Sequence, residues 1–302
     1  MLEGKINTWQ ATALFTSIIT STAVFFPPSF IAQQAGRDAW LAFLLGSAYG
    51  LLALALTVPL HTRYPGRNFF QIGEVLLGQL LGKLFALAYV FFLIVFTCIV
   101  VREFAGFLAT TFMPRTPVEF FSAVIVAMGL YAVYHGVEVI ARVSELTFFI
   151  VVFAFLFLFA MGIKELDLSV VLPILNSGLA PVLKGSAIYF VWSGQIFFLS
   201  LLFPSLNRPA QAWKVGVLSL AATAFLLAIG AIFLESFFGY QFTARAFFPA
   251  LSYARVVGIA GFLERIEVLV IPIWVTGIYL KTAFLIFVSA KALKDQFGVT
   301  EE

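Results

Sequence analysis

The chain has 302 residues, of which 62% are hydrophobic and only 11% are charged, and its formal net charge is +3. The apolar residues come in blocks long enough to cross a bilayer core of about 30 Å, which needs roughly 20 helical residues, so a water-soluble globular domain is excluded. The lysines and arginines are scattered, with no run of five or more, and give no case for nucleic acid as a partner.

The apolar blocks predict an all-α polytopic membrane protein with a single transmembrane domain over residues 1–302. The first block is too long for the core of a signal peptide and is interpreted as the first span. Two longer connections, 164–183 and 239–261, combine Pro, Gly and apolar residues, which favours partly buried or interfacial segments. The eight predicted spans are 8–32, 39–60, 84–112, 118–134, 141–163, 184–204, 213–237 and 263–290.

The first span contains a cluster of hydroxyl residues followed by two prolines, Pro27 and Pro28. Two consecutive prolines remove two backbone donors and crowd the preceding turn, so we expect the helix to break or end there. The hydroxyl groups have two interpretations: they contact a ligand, or they bond back to carbonyl groups and pack against neighbouring helices. The cluster comprises Thr16, Ser17, Thr20, Ser21 and Thr22.

Charged residues interrupt the third and seventh spans. Arg102 and Glu103 are adjacent in the third span, and because neighbouring residues on a helix point about 100° apart, we expect each to contact a different neighbour. Glu235 has two interpretations, an interior acid or an interfacial carboxylate, and its place near the end of the seventh span favours the second.

The sixth span is interrupted at its middle by Gly194, next to Trp192, Ser193 and Gln195. A lone glycine in a membrane helix is usually a packing residue. Interrupted helices at corresponding positions of two halves, however, indicate a substrate site of the transporter type, and the first and sixth spans correspond if each half has five helices.

The eighth span carries charged residues close to the hydrocarbon. Glu267, Trp274 and Lys281 are spaced by seven and share one face, which Glu264 joins, whereas Arg265 points away from it. About 21 Å separates Glu267 from Lys281 along the helix, so the two do not pair. We expect this stripe to face the protein interior. Lys281 has two interpretations, extension to the membrane interface or an interior partner.

Four stretches of the chain resemble the B subunit of GerA-type spore germinant receptors, a branch of the amino acid, polyamine and organocation transporter superfamily. The last stretch is the most specific, because Glu-Arg-x-Glu, Trp274 and Lys281 fall at the family's spacing. The stretches are ITSTAVFFPPSFIAQQAGRDAWL (19–41), RYPGRNFFQIGEVLLGQLLGK (63–83), VVLPILNSGLAPVLKG (170–185) and FPALSYARVVGIAGFLERIEVLVIPIWVTGIYLK (248–281).

The resemblance implies a LeuT-like bundle of two inverted five-helix repeats, with helices 1 and 6 broken around a midplane site. Residues 1–163 would form the first repeat and residues 164–302 an incomplete second repeat of three helices, with the family's last two helices absent. Where relatives often have Gly at the break in helix 1, this chain has Thr20 and Ser21.

The implied function is that of a receptor subunit in the inner spore membrane, with an A subunit and a lipoprotein C subunit as partners. The alternative is a secondary transporter that moves an amino acid through the same site. The sequence contains no nucleophile and base constellation, glycine-rich phosphate loop or cluster of metal ligands, so we expect neither an enzyme nor a cofactor or metal.

The predicted ligand is a small neutral amino acid. Freed N–H groups at a helix break suit its carboxylate, and freed carbonyl and hydroxyl groups suit its ammonium. Because Trp192 is bulky and phenylalanine is abundant, we expect a small pocket. The predicted contacts are Thr20, Ser21 and Thr22 on helix 1, Trp192, Ser193, Gly194 and Gln195 on helix 6, and Thr276 on helix 8.

Overall fold

A computed structural model describes residues 4–257 and 267–297. Within these ranges the chain is helical, without a β-strand, and one parallel bridge joins Ile6 to Leu206. The described α-helices are α1 (Thr8–Ala23), α2 (Pro27–Ala35), α3 (Ala39–Arg63), α4 (Phe69–Leu77), α5 (Gln79–Thr111), α6 (Val118–Tyr134), α7 (Val137–Gly162), α8 (Leu179–Ser193), α9 (Leu199–Leu202), α10 (Ala212–Phe238), α11 (Tyr240–Arg245), α12 (Pro249–Val256) and α13 (Glu267–Phe297).

Six helical stretches among the described residues are long and apolar enough to cross a membrane. The apolar helix α6 has the predicted bounds, 118–134, but is shorter than these six. The predicted span 8–32 is divided between α1 and α2. The all-α membrane class is therefore confirmed, while the count of eight spans stays a prediction. The six stretches are Pro27–Arg63, Gln79–Thr111, Val137–Glu165, Leu179–Ser205, Pro209–Phe238 and Trp274–Gln296.

The first helix breaks where the sequence predicts. α1 ends at Ala23, and α2 begins with Pro27 and Pro28, whose missing N–H groups are tolerated in a first helical turn. The break is tight, because the backbone N–H of Val24 donates to the carbonyl of Thr20 at 3.1 Å. The chain thus changes helix within three residues.

The sixth predicted span changes form at Gly194 without unwinding. α8 ends at Ser193, residues Gly194–Phe198 form a 3₁₀ helix, and α9 follows directly. Gly194 keeps right-handed helical angles, with φ −63° and ψ −19°. The irregularity is therefore a local tightening, which is a common mark of strain or of a hinge in a helix.

The central element of the bundle is α1. Every residue from Ala11 to Ala23 is buried, and α1 packs against α7, α10 and α13. The polar side chains of this segment are small hydroxyls, several of which donate to carbonyls of the same helix, so α1 can be buried on all sides. By contrast, α7 and α10 expose large side chains such as Phe153 (70%) and Phe225 (63%) on their outer faces, as expected of lipid-facing helices.

The second long connection is partly buried over its described part, as predicted, whereas most residues of the first are exposed. In the first, the N–H of Leu175 donates to Oδ1 of Asp38 at 3.0 Å, and Val171 is buried. In the second, α11 and α12 bury Thr243 and Tyr253. Both segments therefore cover the helix bundle.

Candidate functional site

A cavity lies beside the break in helix 1, between α1, α7, α10, α12 and α13. The space open to the centre of a water-sized sphere is about 100 Å³, and the cavity has an open mouth. Small residues on two walls leave space, among them Ala154 and Gly230, whereas Gly277 allows close packing against Ser21. A Cβ atom added to Gly230 would meet no heavy atom within 4 Å, so this face of α10 opens into free space.

Two hydroxyl groups of α1 line the cavity without a partner. Ser17 is 7% exposed and Thr20 is 4% exposed, and neither hydroxyl has a hydrogen-bond partner within the described part of the chain. Other hydroxyls on this helix do: Thr16 donates to the carbonyl of Thr12 at 2.8 Å, and Ser21 to that of Ile18 at 3.0 Å. A buried hydroxyl left unpaired costs about 1–3 kcal/mol, so these two groups call for a ligand or water.

Thr22 joins helix 1 to two other helices. Its Oγ1 accepts hydrogen bonds from Nε1 of Trp192 at 3.1 Å and from Nζ of Lys281 at 2.8 Å. One residue earlier, the carbonyl of Ser21 accepts a hydrogen bond from Nε1 of Trp274. We call Thr22, Trp192 and Lys281 the Thr22 junction. It ties the last turn of α1 to α8 and α13.

The structure favours the interior interpretation of Lys281. Its side chain is 1% exposed, and Nζ lies 5.6 Å from the centre of the Phe96 ring. Glu103, which is half-buried on α5, interacts electrostatically with it, while the adjacent Arg102 is exposed. Arg102 and Glu103 thus have different surroundings, as expected.

The predicted stripe on the eighth span faces the interior at Trp274 and Lys281, both of which are buried and bonded to helix 1. The predictions for Glu264 and Arg265 lie outside the described residues. Glu267 is the first residue of α13, and its side chain also lies outside the described part.

The remaining predicted contacts lie away from the cavity. Ser193 is fully buried and donates to the carbonyl of Gly46 on α3 at 2.9 Å. A Cβ on Gly194 would lie 3.3 Å from the Phe190 ring. Thr276 donates to the carbonyl of Pro272 in its own helix at 2.8 Å.

Gln195 lies next to this group on the 3₁₀ helix. Its Nε2 donates to the carbonyl of Val191 at 3.2 Å, and its buried Oε1 has no partner among the described residues. Thr20 and Ser21 are therefore the predicted contacts that line the cavity, and Thr22 and Trp192 bind one another outside it.

Glu235 is placed differently from the sequence expectation. It is 1% exposed, and neither carboxyl oxygen has a hydrogen-bond partner in the described ranges. The interfacial expectation was wrong, because the end of α10 is covered by α11 and by the first long connection.

The fold and the cavity are those of a multi-pass membrane protein whose first helix breaks beside a partly enclosed cavity. The sequence profile of a family described as "Spore germination protein" matches residues 5–302. The chain belongs to this family, and it is a multi-pass protein of the inner spore membrane.

Curated relatives come from Bacillus subtilis (strain 168). The chain is 28% identical to "Spore germination protein KB", over 98% of this chain and 80% of the relative. It is 25% identical to "Spore germination protein YndE", over 91% and 77%. It is 21% identical to "Spore germination protein B2", over 90% and 74%. The resemblance to spore germination proteins seen in the sequence is therefore confirmed.

Proposed function

We propose that this chain is the B subunit of a spore germinant receptor, which binds a small neutral amino acid or similar germinant at the break in helix 1 and signals through partner subunits. Membership of the spore germination family supports a role in germination. The site is supported chiefly by two buried hydroxyls that line the cavity, on Ser17 and Thr20, neither of which has a hydrogen-bond partner among the described residues.

The backbone at the break supplies the other groups that an amino acid needs. Pro27 and Pro28 have no N–H to donate to the carbonyls of Ala23 and Val24, four residues earlier. These carbonyls, with the two hydroxyls, suit an ammonium group. The dipole at the N-terminus of α2 favours a carboxylate through its field, since Pro27 and Pro28 supply no N–H donor there. Since no charged side chain is found among the described residues that line the cavity, a neutral side chain fits best.

The Thr22 junction supports a route for the signal. A ligand shifts a conformational equilibrium only by binding one state more tightly than the other. Thr20 lines the cavity, and Thr22, half a turn further along α1, bonds to Trp192 on α8 and Lys281 on α13. A movement of the last turn of α1 would therefore change the contacts of both helices, from which the A and C subunits would receive the signal.

The alternative is a secondary amino-acid transporter, which the irregularities in both helix 1 and the sixth span favour. The two functions are distinguished by measuring both equilibrium binding and uptake of radiolabelled neutral amino acids in proteoliposomes that contain the purified chain. A receptor subunit binds the amino acid without accumulating it. Accumulation that depends on an ion gradient would establish the transporter and contradict the receptor.

The partner subunits are tested by mild solubilisation of spore membranes. The proposal predicts that the tagged chain co-purifies with an A subunit and a lipoprotein C subunit. A chain that is fully stable and active in its native membrane without either partner would contradict this part of the proposal.

A further inference from the structure

The cavity extends well beyond the polar groups at the break. From Ser17 and Thr20 it continues between α7 and α10, where the described walls are aliphatic and aromatic. The rings of Phe159 on α7 and Phe233 on α10 stack directly on each other, with their centres 4.0 Å apart, and so close part of this wall. The wall includes Val151, Phe155, Leu158, Leu226, Leu227 and Leu234.

The lining of this cavity differs from the lining expected from the sequence. The expectation placed Trp192 in the pocket wall, but its indole is turned to Thr22, and it does not line the cavity. A ligand as small as alanine would contact the polar end and leave the apolar part empty. Such a void forfeits the dispersion contacts of its lining and the free energy of apolar burial.

We propose that the ligand is a neutral α-amino acid with a branched aliphatic side chain of the valine, leucine or isoleucine type. Its ammonium and carboxylate lie at the break in helix 1, and its side chain enters the space between α7 and α10. This inference rests on the proposed function, since it assigns the chemical class of ligand to the same site.

The expected selectivity follows from burial. Each buried methylene contributes about fourfold in affinity at room temperature. Leucine has three more carbons than alanine, so we expect it to bind more than tenfold tighter. Asparagine matches leucine in shape but brings an amide into an apolar wall, which would leave polar groups unpaired, so we expect no measurable binding.

The test measures thermal stabilisation of the purified chain in nanodiscs by glycine, alanine, valine, leucine and asparagine. The predicted order of stabilisation is leucine, then valine, then alanine, with none from asparagine. Equal shifts from alanine and leucine would overturn the inference about the side chain. They would leave the proposed function intact.

A pair of glycine variants locates the ligand. Gly230→Leu fills the apolar part of the cavity, because a Cβ at this position meets no atom within 4 Å. Gly106→Leu on α5 is the matched control, since its Cβ is equally unobstructed but it does not line the cavity. Both replace a helical glycine and are expected to fold.

The two variants separate the outcomes. The inference predicts that Gly230→Leu abolishes the shift caused by leucine and that Gly106→Leu preserves it. If leucine stabilises Gly230→Leu as well as the parent, the apolar cavity does not hold the side chain and the inference is wrong. If no amino acid stabilises even the parent, the proposed function fails together with the inference.

Discussion

Replacing Lys281 by methionine tests whether the eighth span is fixed to the bundle through its buried ammonium. Methionine keeps most of the side-chain volume, so the change removes the charge and the donor rather than the packing. Lys281 Nζ donates to Thr22 at 2.8 Å and interacts electrostatically with Glu103. A hydrogen bond from a charged group contributes about 1.5–3 kcal/mol.

Because the desolvation of the buried ammonium offsets part of this gain, we take the lower end of the range and expect Lys281→Met to lower the free energy of unfolding by about 2 kcal/mol. Denaturant unfolding in mixed micelles measures it. The control is Lys83→Met, an exposed lysine on α5, for which we expect a change within about 0.5 kcal/mol.

The double variant Lys281→Met with Glu103→Gln tests the cause of the loss. If Lys281→Met destabilises by leaving a carboxylate without its cation, then neutralising Glu103 should restore part of the lost stability. A Lys281→Met variant as stable as Lys83→Met would show that the ammonium contributes nothing to the fold, and it would refute the reasoning about the Thr22 junction.

Two further predictions concern the contacts around the site. Gly50→Ala should lower the free energy of unfolding by about 1–3 kcal/mol, because its Cβ would lie 2.5 Å from the Leu220 side chain and 2.9 Å from a backbone carbonyl oxygen. The control Gly106→Ala, whose Cβ would meet open space, should raise it by about 0.5–1 kcal/mol. Equal stabilities of the two variants would contradict this packing. Trp192→Phe keeps an aromatic ring but removes the N–H that donates to Thr22 and part of the indole that packs against the core, so unfolding measurements should show a loss of at least about 1 kcal/mol. No loss would mean that this bond is not stabilising.

Much of the helical framework could be predicted from the sequence, because an apolar run of a given length leaves the chain few alternatives in a membrane. The break before Pro27 follows from proline chemistry alone. The short helix α4, Phe69–Leu77, was not predicted, since nine residues are too few to span a bilayer and give no comparable signal.

The candidate site was predictable only on its polar side. Thr20 and Ser21 are conspicuous in an apolar helix, but the walls from α7 and α10 are not, because Phe159 or Leu226 in a cavity looks the same in sequence as a lipid-facing residue. The partner of Lys281 lies 259 residues away on α1, and only tertiary packing determines which of its two interpretations is correct.

The most direct measurement is binding of radiolabelled leucine to the purified chain in nanodiscs, compared between the parent and Thr20→Val. This change removes the unpaired hydroxyl in the cavity and keeps the shape of the side chain. Thr110→Val, which changes a helical threonine outside the cavity, is the control. The proposed site predicts at least tenfold weaker binding in Thr20→Val alone. Unchanged affinity in that variant would contradict a germinant site at the break in helix 1.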